Sequence, residues 1–409
     1  MNKKLSMAVA GAVMAFGASA ANAGITIPAG DWTIDIGGNV NAYYSHTKLD
    51  GDLDTGGEDK INDISTGLLP SALGVGGKTR QNDLDIAFQF TFFTGVNSGT
   101  QTAAGNNTLN IRQAYMTFGD KSWGTIKAGR DLGIFGSDAI LSDMTLLGVG
   151  VGQQYNLENS TLGRIGSGYI YADWVGQISY ASPNWNGFSF AVGVREPWSN
   201  GAAGHDRNDM GFEGKVSYEW AGDYAGKVWA GFVSQKHDGD DVTTPASAVI
   251  DPVTLLPVVT PAATTSFDSY TSRGWEIGAK TTIAGFGLVG YYYEGDGLDS
   301  QANALGPFIG GLQFLGGQDT DDEGGYVQAT YVLPGIGTKL GASWGVSRSE
   351  SDVAGGFDID NESWIVGAYH PLTKSLNLVA EYTDQEIEDD DSGFDGEAKT
   401  LSLGAILFF

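Results

Sequence analysis

The chain offers few of the side chains that make or break covalent bonds. It contains no cysteine and only four histidines among 409 residues, which excludes a disulfide framework, a thiol nucleophile and a metal site with cysteine ligands. Two histidines precede an aspartate, in His205-Asp206 and His237-Asp238, but both pairs fall in polar segments typical of hydrated loops. The sequence holds no phosphate-binding glycine loop and no HExxH zinc motif. It therefore argues against an enzyme and indicates no catalytic residue and no cofactor.

Acidic side chains dominate the charge. The chain carries 49 Asp and Glu against 22 Lys and Arg, a formal net charge of −27. This excess argues against a nucleic-acid partner, because phosphate backbones are bound through clustered Lys and Arg. The segment Asp50-Gly-Asp-Leu-Asp resembles the start of an EF-hand, but Thr55 and Ile61 stand where that loop needs glycine and glutamate. No metal site is predicted.

The acidic residues form four runs within polar segments. We interpret the runs as solvated surface loops, and the alternative is weak binding of divalent cations that bridge to anionic lipopolysaccharide. The runs are Asp50, Asp52 and Asp54; Asp238, Asp240 and Asp241; Asp319, Asp321, Asp322 and Glu323; and Glu388, Asp389, Asp390 and Asp391.

The first 23 residues have the organisation of a secretory signal peptide. Lys3 and Lys4 precede a mostly apolar stretch, and Ala21-Asn22-Ala23 fits the small-residue cleavage pattern. A short membrane anchor is the weaker alternative, because the apolar run is too short to span a bilayer. We predict cleavage before Gly24 and export of a mature chain, residues 24–409, from the cytoplasm.

The elements that must position any functional side chain are β-strands. From Trp32 to Tyr44, apolar or aromatic residues occupy most even positions, and polar or small residues occupy most odd positions. Successive strand residues point to opposite faces, so this alternation indicates a sheet with one apolar and one polar face. Sixteen such segments are predicted, at about 31–45, 67–79, 83–95, 108–119, 123–130, 166–181, 187–196, 208–220, 227–235, 272–282, 287–294, 324–333, 338–348, 361–370, 375–383 and 398–409. The fold class is all-β and antiparallel.

Short turns and long polar connections alternate between these strands. The turns include 182–186, 221–226 and 334–337, and the long connections are predicted at 46–66, 131–165, 236–271, 295–323, 349–360 and 384–397. One rim of turns and one of long loops is typical of a transmembrane β-barrel. A soluble sandwich is the alternative, but inward-facing charges and glycines, and aromatic residues at strand ends such as Trp220 and Tyr382, favour the membrane barrel.

Four segments resemble, in the right order, the general porins of Gram-negative bacteria. Residues 111–131 (IRQAYMTFGDKSWGTIKAGRD) are similar to the strand–turn–strand unit before that family's constriction loop. Residues 180–188 (YASPNWNGF) and 369–378 (YHPLTKSLNL) resemble two of its turns, the second with departures from the family pattern. Phe409, with apolar residues at every second position before it, resembles the family's outer-membrane assembly signal.

The resemblance spans the mature chain and implies a location and a function. It implies a sixteen-stranded homotrimeric channel in the outer membrane, in contact with membrane lipid and lipopolysaccharide, through which small hydrophilic solutes and ions diffuse passively. A substrate-selective channel of the same fold is the second hypothesis, and a barrel hydrolase or adhesin is a distant third.

The resemblance further implies that the connection 131–165 is a constriction loop folded into the barrel. Its own residues agree, because Leu141, Met144 and Leu147 are apolar side chains that need cover. Asp138 and Asp143 match the family's acidic loop segment. The following stretch, 146–150, lacks the acidic residue often found there.

On the wall opposite the loop, the matching motifs assign Arg112 and Arg130 to a basic cluster, and alternation adds Lys127. Alternation directs Tyr115 to the lipid and Arg112 to the lumen with Met116, whereas Arg130 needs a bulge or a strand end to face inward. Alternatively, the three cations pair with wall carboxylates such as Asp83 and Asp85.

Opposed basic and acidic walls would set a transverse field that orders water and orients dipolar solutes, a physical rather than a chemical mechanism. The other charges predicted to face the lumen have both signs, so no ion preference follows from them. They are Asp35, Asp173, Arg195, Glu213, Lys215, Glu219, Glu276, Lys280 and Glu381.

Overall fold

A computed structural model describes most of the chain. The described residues are 24–54, 56, 59–96, 109–152, 160–197, 205–206, 209–239, 241–244, 247–250, 257–266, 269–298, 301, 320–351 and 356–409. The expected signal peptide, 1–23, lies outside the described residues, as do Asp240 and Asp319 of the acidic runs. Within the described ranges, no helix has the length and apolar character needed to cross a membrane.

The fold is a closed antiparallel β-barrel, as predicted from the alternation. The strands are β1 (Ile25–Ala29), β2 (Trp32–Gly51), β3 (Lys60–Ser65), β4 (Ser71–Gln81), β5 (Leu84–Thr94), β6 (Asn110–Asp120), β7 (Gly124–Leu132), β8 (Trp174–Ala181), β9 (Phe188–Arg195), β10 (His205–Asp206), β11 (Gly211–Trp220), β12 (Gly226–Gly239), β13 (Asp241–Thr244), β14 (Ser247–Ile250), β15 (Pro257–Thr260), β16 (Ala263–Ser266), β17 (Tyr270–Ile283), β18 (Phe286–Asp296), β19 (Asp321–Val332), β20 (Lys339–Glu350), β21 (Asp358–Pro371), β22 (Leu376–Asp389) and β23 (Phe394–Phe408). The last strand, β23, pairs with β2 and closes the sheet.

The barrel wall has sixteen strands, the predicted number. Both β3 and β4 pair with β2 along the same edge, so they form one strand interrupted at 66–70. The short β1 pairs with β2, and the two residues of β10 pair with β12. Two separate two-stranded sheets pair β13 with β16 and β14 with β15.

Side chains alternate between the two faces of the wall. On β5, Phe90 is 45% exposed, whereas its neighbours Gln89 and Thr91 are buried inside the barrel. Exposed apolar side chains such as Phe90 form the outer face, which lipid rather than water covers in a membrane barrel. Closure of the sheet satisfies the backbone hydrogen bonds without leaving an open edge.

Tight turns join the strands at one rim. Asn82 and Asp83 connect β4 to β5, and Ala284 and Gly285 connect β17 to β18, all four with positive φ angles between 48° and 86°. Two-residue hairpins with this backbone twist match the twist of the strands they join. These turns make one rim of the barrel short, as predicted.

In two of the predicted long connections, the neighbouring wall strands extend far into the predicted loop. Strand β22 continues to Asp389 and β23 begins at Phe394, so only a tight turn at 390–393 remains of the expected loop 384–397. In the same way β2 continues to Gly51 and β3 begins at Lys60. Polar residues on both faces marked these segments as loops, but strands that project beyond the apolar band of a barrel are polar on both faces.

The connection between β7 and β8 is described at residues 133–152 and 160–173, and these two segments cross the barrel interior. It contains helix α1 (Ser137–Ile140) and a 3-10 turn (Met144–Leu147). The segment 166–173, predicted to begin the sixth wall strand, belongs to this connection, and β8 begins only at Trp174. We call residues 133–152 and 160–173 the internal connection.

Apolar side chains of the internal connection pack against the wall. Phe135, Ile140 and Ile165 belong to a buried cluster that includes Trp229 of β12 and Tyr326 of β19. A second cluster joins Met144 and Val149 to residues of β2, β21 and β22. Burial of this surface supplies the cover that these side chains require.

Candidate functional site

The internal connection fills one side of the barrel and leaves a cavity of about 1550 Å³ along the other. Wall residues from β4 to β8 line the cavity, together with the start of β2 and parts of the internal connection. The cavity extends to the rim of tight turns, where Asp31 and Lys121 border it. We call this space the open side of the interior, and we call the packed region the filled side.

Two buried wall carboxylates hold the first part of the internal connection. Glu213 on β11 accepts a hydrogen bond from the backbone N–H of Ile134. Glu276 on β17 accepts from the N–H of Gly136 at 2.9 Å and from the hydroxyl of Tyr291 at 2.9 Å. Hydrogen bonds to an ionised acceptor are stronger than neutral ones, and a buried carboxylate without such partners is costly. The wall therefore holds this part of the connection by its backbone.

A third wall carboxylate holds the later part of the internal connection. Glu381 on β22 accepts from the N–H groups of Val149 at 2.7 Å and Gly150 at 2.9 Å, and Tyr369 donates its hydroxyl to the same carboxylate at 2.5 Å. The hydroxyl of Tyr43 on β2 donates to the carbonyl oxygen of Leu147 at 2.7 Å. The internal connection is thus held by β11 and β17 at its first part and by β22 and β2 at its later part.

Arg164 anchors the last part of the internal connection, before β8, to the wall. Its guanidinium is fully buried and donates to the Ser343 hydroxyl at 2.5 Å and to the Ser363 hydroxyl at 3.0 Å. It also donates to the carbonyl oxygen of Ser167 at 3.1 Å. Arg164 was not predicted from sequence, because a lone arginine among apolar residues of a predicted loop does not reveal which wall it reaches.

Asp143 is buried within the internal connection. Its carboxylate accepts from the N–H of Thr145 at 2.9 Å and from the hydroxyl of Tyr169 at 2.8 Å. The first contact caps the 3-10 turn, and both contacts satisfy the buried charge. Asp143 is not one of the described residues that line the cavity.

Asp138 lies in α1, borders the cavity and contacts two lysines of the wall. Its carboxylate lies 2.6 Å from the ammonium of Lys215 on β11 and 2.7 Å from that of Lys227 on β12. Burial raises the pKa of Asp138, but the two ammonium groups outweigh burial and hold it below its usual range. The carboxylate therefore remains ionised and bridges two cations.

Arg112 faces the lumen, but the alternation of its strand is not the reason. The register between β5 and β6 shifts at this point, so that Arg112 is an extra residue in β6. A bulge of this kind turns successive side chains toward one face. Tyr115 was predicted to face lipid and is 4% exposed inside the barrel, whereas Met116 was predicted to face the lumen and is 54% exposed outside. The guanidinium carbon of Arg112 lies 5.0 Å from the ring centroid of Phe93.

Lys127 borders the same cavity. Its ammonium contacts the carboxylate of Asp131, four residues along the same face of β7, and lies 5.0 Å from the ring centroid of Tyr115. The wall carboxylate Asp85, considered as a partner for these cations, instead contacts Arg80 at 2.8 Å. Asp131 was not identified as a partner from sequence, although its odd position matches that of Lys127.

Arg130 is exposed and its atoms also border the cavity. It is in register with Ala114 on β6 and Gly176 on β8, and the pairing of β7 is continuous on both sides. No bulge therefore separates Arg130 from the face that it shares with Ile126. Among the described residues, Arg130 has no ion-pair partner.

Lys227 contributes to the site and was not predicted from sequence. The inward face of β12 carries Trp229 and Val233, both buried beneath other residues of the interior. An apolar inward face reverses the usual polarity pattern, because the internal connection rather than water covers it. Lys227 lies an even number of residues from Trp229 and Val233 on the same strand, and this spacing is the sequence signal that would have placed it on the inward face.

A group of acidic side chains lies elsewhere in the barrel. Glu386, Glu388 and Asp395 are exposed, and carboxylate oxygens of the three lie within 4.8 Å of one another. Exposed carboxylates commonly cluster without a metal, so we assign no ion to this group.

Comparisons with known proteins agree on one kind of architecture. A sequence profile described as Gram-negative porin matches residues 8–390. An anion-selective porin from Comamonas acidovorans is 15% identical with a TM-score of 0.61, over 92% of this chain and 100% of that one. The outer membrane channel DcaP of Acinetobacter baumannii is 15% identical with a TM-score of 0.64, over 95% and 100%. Salmonella typhi OmpF in complex with daunomycin is 17% identical with a TM-score of 0.58, over 94% and 100%.

At these identities the structural likeness shows the fold alone. A search of curated protein sequences finds no match.

Proposed function

Because the chain belongs to the Gram-negative porin family and forms a diffusion channel in the outer membrane, we propose that small hydrophilic solutes and ions cross it along the open side of the interior. The observation that carries this proposal is the packing of the internal connection. Glu213, Glu276 and Glu381 hold its backbone against the wall and leave the cavity beside it. Solutes would pass between the internal connection and strands β4 to β8.

In this proposal, residues 24–409 form one channel domain and 131–165 act as its constriction loop. Arg112 and Lys127 on the wall and Asp138 on the loop are the charged groups that a solute would meet, since all three border the cavity. Arg130 borders the cavity as well, but its register places it on the face of Ile126. The contacts of Asp143 support a structural role inside the loop instead. The passage would select by size and by the field of its charges.

Diffusion through this passage requires no covalent chemistry, and we propose that the protein is not an enzyme. The buried pair His237 and Ser272 illustrates the reason, with the imidazole Nε2 at 2.9 Å from the hydroxyl. The hydroxyl donates to the carbonyl oxygen of Gly297 at 2.6 Å, and both side chains are shielded from solvent. A hydroxyl engaged in this way is not presented to a substrate.

We further propose that the mature chain begins at Gly24 and assembles as a homotrimer among outer-membrane lipid and lipopolysaccharide. The signal-like sequence and the family support these two points. Intact mass of the membrane-extracted protein tests the cleavage site, and native mass spectrometry of the detergent complex tests the trimer.

Cysteine labelling tests the route, because the chain has no cysteine of its own. Leu141 is exposed and borders the cavity beside α1, so Leu141→Cys places one thiol in the proposed passage. A charged methanethiosulfonate reagent should lower the single-channel conductance of this variant in planar bilayers. Tyr224→Cys, in an exposed turn away from the cavity, is the matched control and should keep its conductance after labelling.

Mass spectrometry establishes that both thiols are labelled. Unchanged conductance of labelled Leu141→Cys would contradict the proposed route, and purified protein that forms no channels would contradict the proposed function. A conductance that saturates with the concentration of one solute would instead identify the substrate-selective alternative.

A further inference from the structure

We propose that a short segment of the barrel wall, residues 66–70, acts as a second constriction element. It narrows the passage and positions the central part of the internal connection, residues 146–150 and 160–162. This inference rests on the proposed route along the open side. We call residues 66–70 the inward segment, because they leave the sheet and enter the interior, where Leu68 and Pro70 are buried and border the cavity.

The inward segment interrupts the sheet between β3 and β4. On β2, pairing with β3 ends at Tyr43 and pairing with β4 begins at Asn39, so the six residues 66–71 lie opposite only three. The local sequence explains the interruption, because Pro70 has no N–H to donate to a ladder and the two adjacent leucines before it do not alternate. The surplus backbone therefore turns inward.

Asn41 on β2 holds the inward segment where the strand ladder is missing. Its Oδ1 accepts from the N–H of Gly67 at 3.0 Å, and its Nδ2 donates to the carbonyl oxygen of Leu69 at 2.8 Å. Its backbone N–H donates to the hydroxyl of Ser71 at 3.1 Å. Buried backbone groups require hydrogen-bond partners, so these contacts of one buried side chain fix the path of the segment.

The inward segment binds the central part of the internal connection on both of its described strands of chain. The N–H of Leu68 donates to the carbonyl oxygen of Gly148 at 2.9 Å, and the N–H of Thr161 donates to the carbonyl oxygen of Gly67 at 3.1 Å. Leu68 also belongs to the same buried apolar cluster as Leu162. The wall segment therefore determines where the central part of the internal connection lies.

Two glycines allow this close approach. A Cβ atom at Gly67 would lie 1.9 Å from the carbonyl oxygen of Gly148 and 2.8 Å from the ring of Tyr43. A Cβ atom at Gly148 would lie 2.0 Å from the carboxylate of Glu381. Only glycine fits where backbone groups approach so closely. Gly148 is thus confined between the inward segment and β22.

The inward segment and the central part of the internal connection form one apolar face of the passage. Their apolar residues that border the cavity are Leu68, Leu69, Pro70, Leu146 and Leu162. These side chains offer neither charge nor hydrogen bonds to a solute. The volume of this face, rather than its electrostatics, therefore limits the width of the passage.

Gly67→Ala tests the inference by adding volume. The new methyl group has no room beside Gly148, which is backed by Glu381, so the inward segment must shift toward the cavity. We expect the single-channel conductance in planar bilayers to fall by about a third, because a close-packed region cannot absorb the added group in place. Gly290→Ala on β18 is the control and should keep its conductance, since a Cβ atom there meets no atom within 4 Å.

Leu68→Ala tests the inference in the opposite direction. The change removes side-chain volume that borders the cavity, so we expect the single-channel conductance to rise by about a third. Leu73→Ala removes the same volume from the outer face of β4, where Leu73 is 43% exposed, and should leave the conductance unchanged. Thermal unfolding in detergent measures the stability of each variant separately.

Unchanged conductance in Leu68→Ala would overturn the inference. Changes of the same sign in Gly67→Ala and Leu68→Ala would overturn it as well, because a general disturbance of the fold would then explain both. If Gly67→Ala yields no folded barrel, Leu68→Ala and its control decide the question alone. All of these outcomes require open channels in the unmodified protein, so they differ from the absence of channels, which would contradict the proposed function itself.

Discussion

The two sides of the barrel interior use the inward positions of their strands in different ways. On the filled side, inward residues such as Trp229, Tyr326 and Ser363 meet the internal connection and exclude water. On the open side, inward residues such as Lys78 and Lys127 face the cavity and remain hydrated. The same alternation builds both sides, so the pattern of a strand without a bulge indicates which residues point inward, but it does not show what they meet there.

Because of this difference, the filled side mainly determines the stability of the barrel and the open side mainly determines permeation. On the filled side, protein groups satisfy the hydrogen bonds of a buried ion or polar side chain, so removal of its partner destabilises the fold. On the open side, water partly satisfies a charge. Substitutions on the filled side should therefore act mainly on the folded barrel, and substitutions on the open side mainly on the passing ion.

The largest effect is expected from Glu381→Ala on the filled side. The change removes the acceptor of the Val149 and Gly150 N–H groups and leaves the Tyr369 hydroxyl without its partner. Three buried donors lose a charged acceptor, so we expect the free energy of unfolding to fall by about 3 kcal/mol. Thermal unfolding in detergent, followed by circular dichroism, measures the change.

The matched control for this prediction is Glu386→Ala on the same strand. Glu386 is exposed, so its loss should change the unfolding temperature little. Equal destabilisation by the two variants would show that the contact between Glu381 and the internal connection does not stabilise the barrel.

A smaller but distinct effect is expected from Arg112→Glu on the open side. The substitution changes the charge of the passage by two units and also removes the hydrogen bond between Arg112 and Tyr171 of the internal connection. We expect the chloride-to-potassium permeability ratio to fall roughly fivefold, and the zero-current potential to move toward cation preference. Planar-bilayer recordings across a salt gradient measure both quantities.

Lys236→Glu provides the comparison for Arg112→Glu. Lys236 is exposed, contacts Asp238 and does not border the cavity, so the same change of charge occurs outside the passage. An unchanged zero-current potential in Arg112→Glu would remove Arg112 from the passage.

The sequence was sufficient to predict the barrel and most inward positions, because alternation and turn chemistry are local. It did not reveal the bulge at Arg112, since one extra residue leaves no mark in composition, yet it exchanges the faces of Tyr115 and Met116. Nor did it separate the strand ends at 384–389 from loops, because both are polar.

The candidate site was less predictable than the fold for a physical reason. Asp138 and Asp143 are close in sequence and chemically identical, yet one bridges two wall lysines and the other caps a turn inside the internal connection. Which role each takes depends on contacts with β11, β12 and Tyr169, at distances of 26 to 89 residues along the chain. No local pattern carries that information.

The smallest expected effect distinguishes these two aspartates. Asp138→Asn removes the negative charge shared by Lys215 and Lys227 and should raise the chloride-to-potassium permeability ratio about twofold. Asp143→Asn removes the same charge from a buried position that does not border the cavity, so it should lower the unfolding temperature without a matching change in the ratio. The two readouts are the zero-current potential and thermal unfolding of each variant. If Asp143→Asn shifted the permeability ratio as much as Asp138→Asn, the passage would extend to the buried carboxylate, and the boundary drawn between the filled and open sides would be wrong.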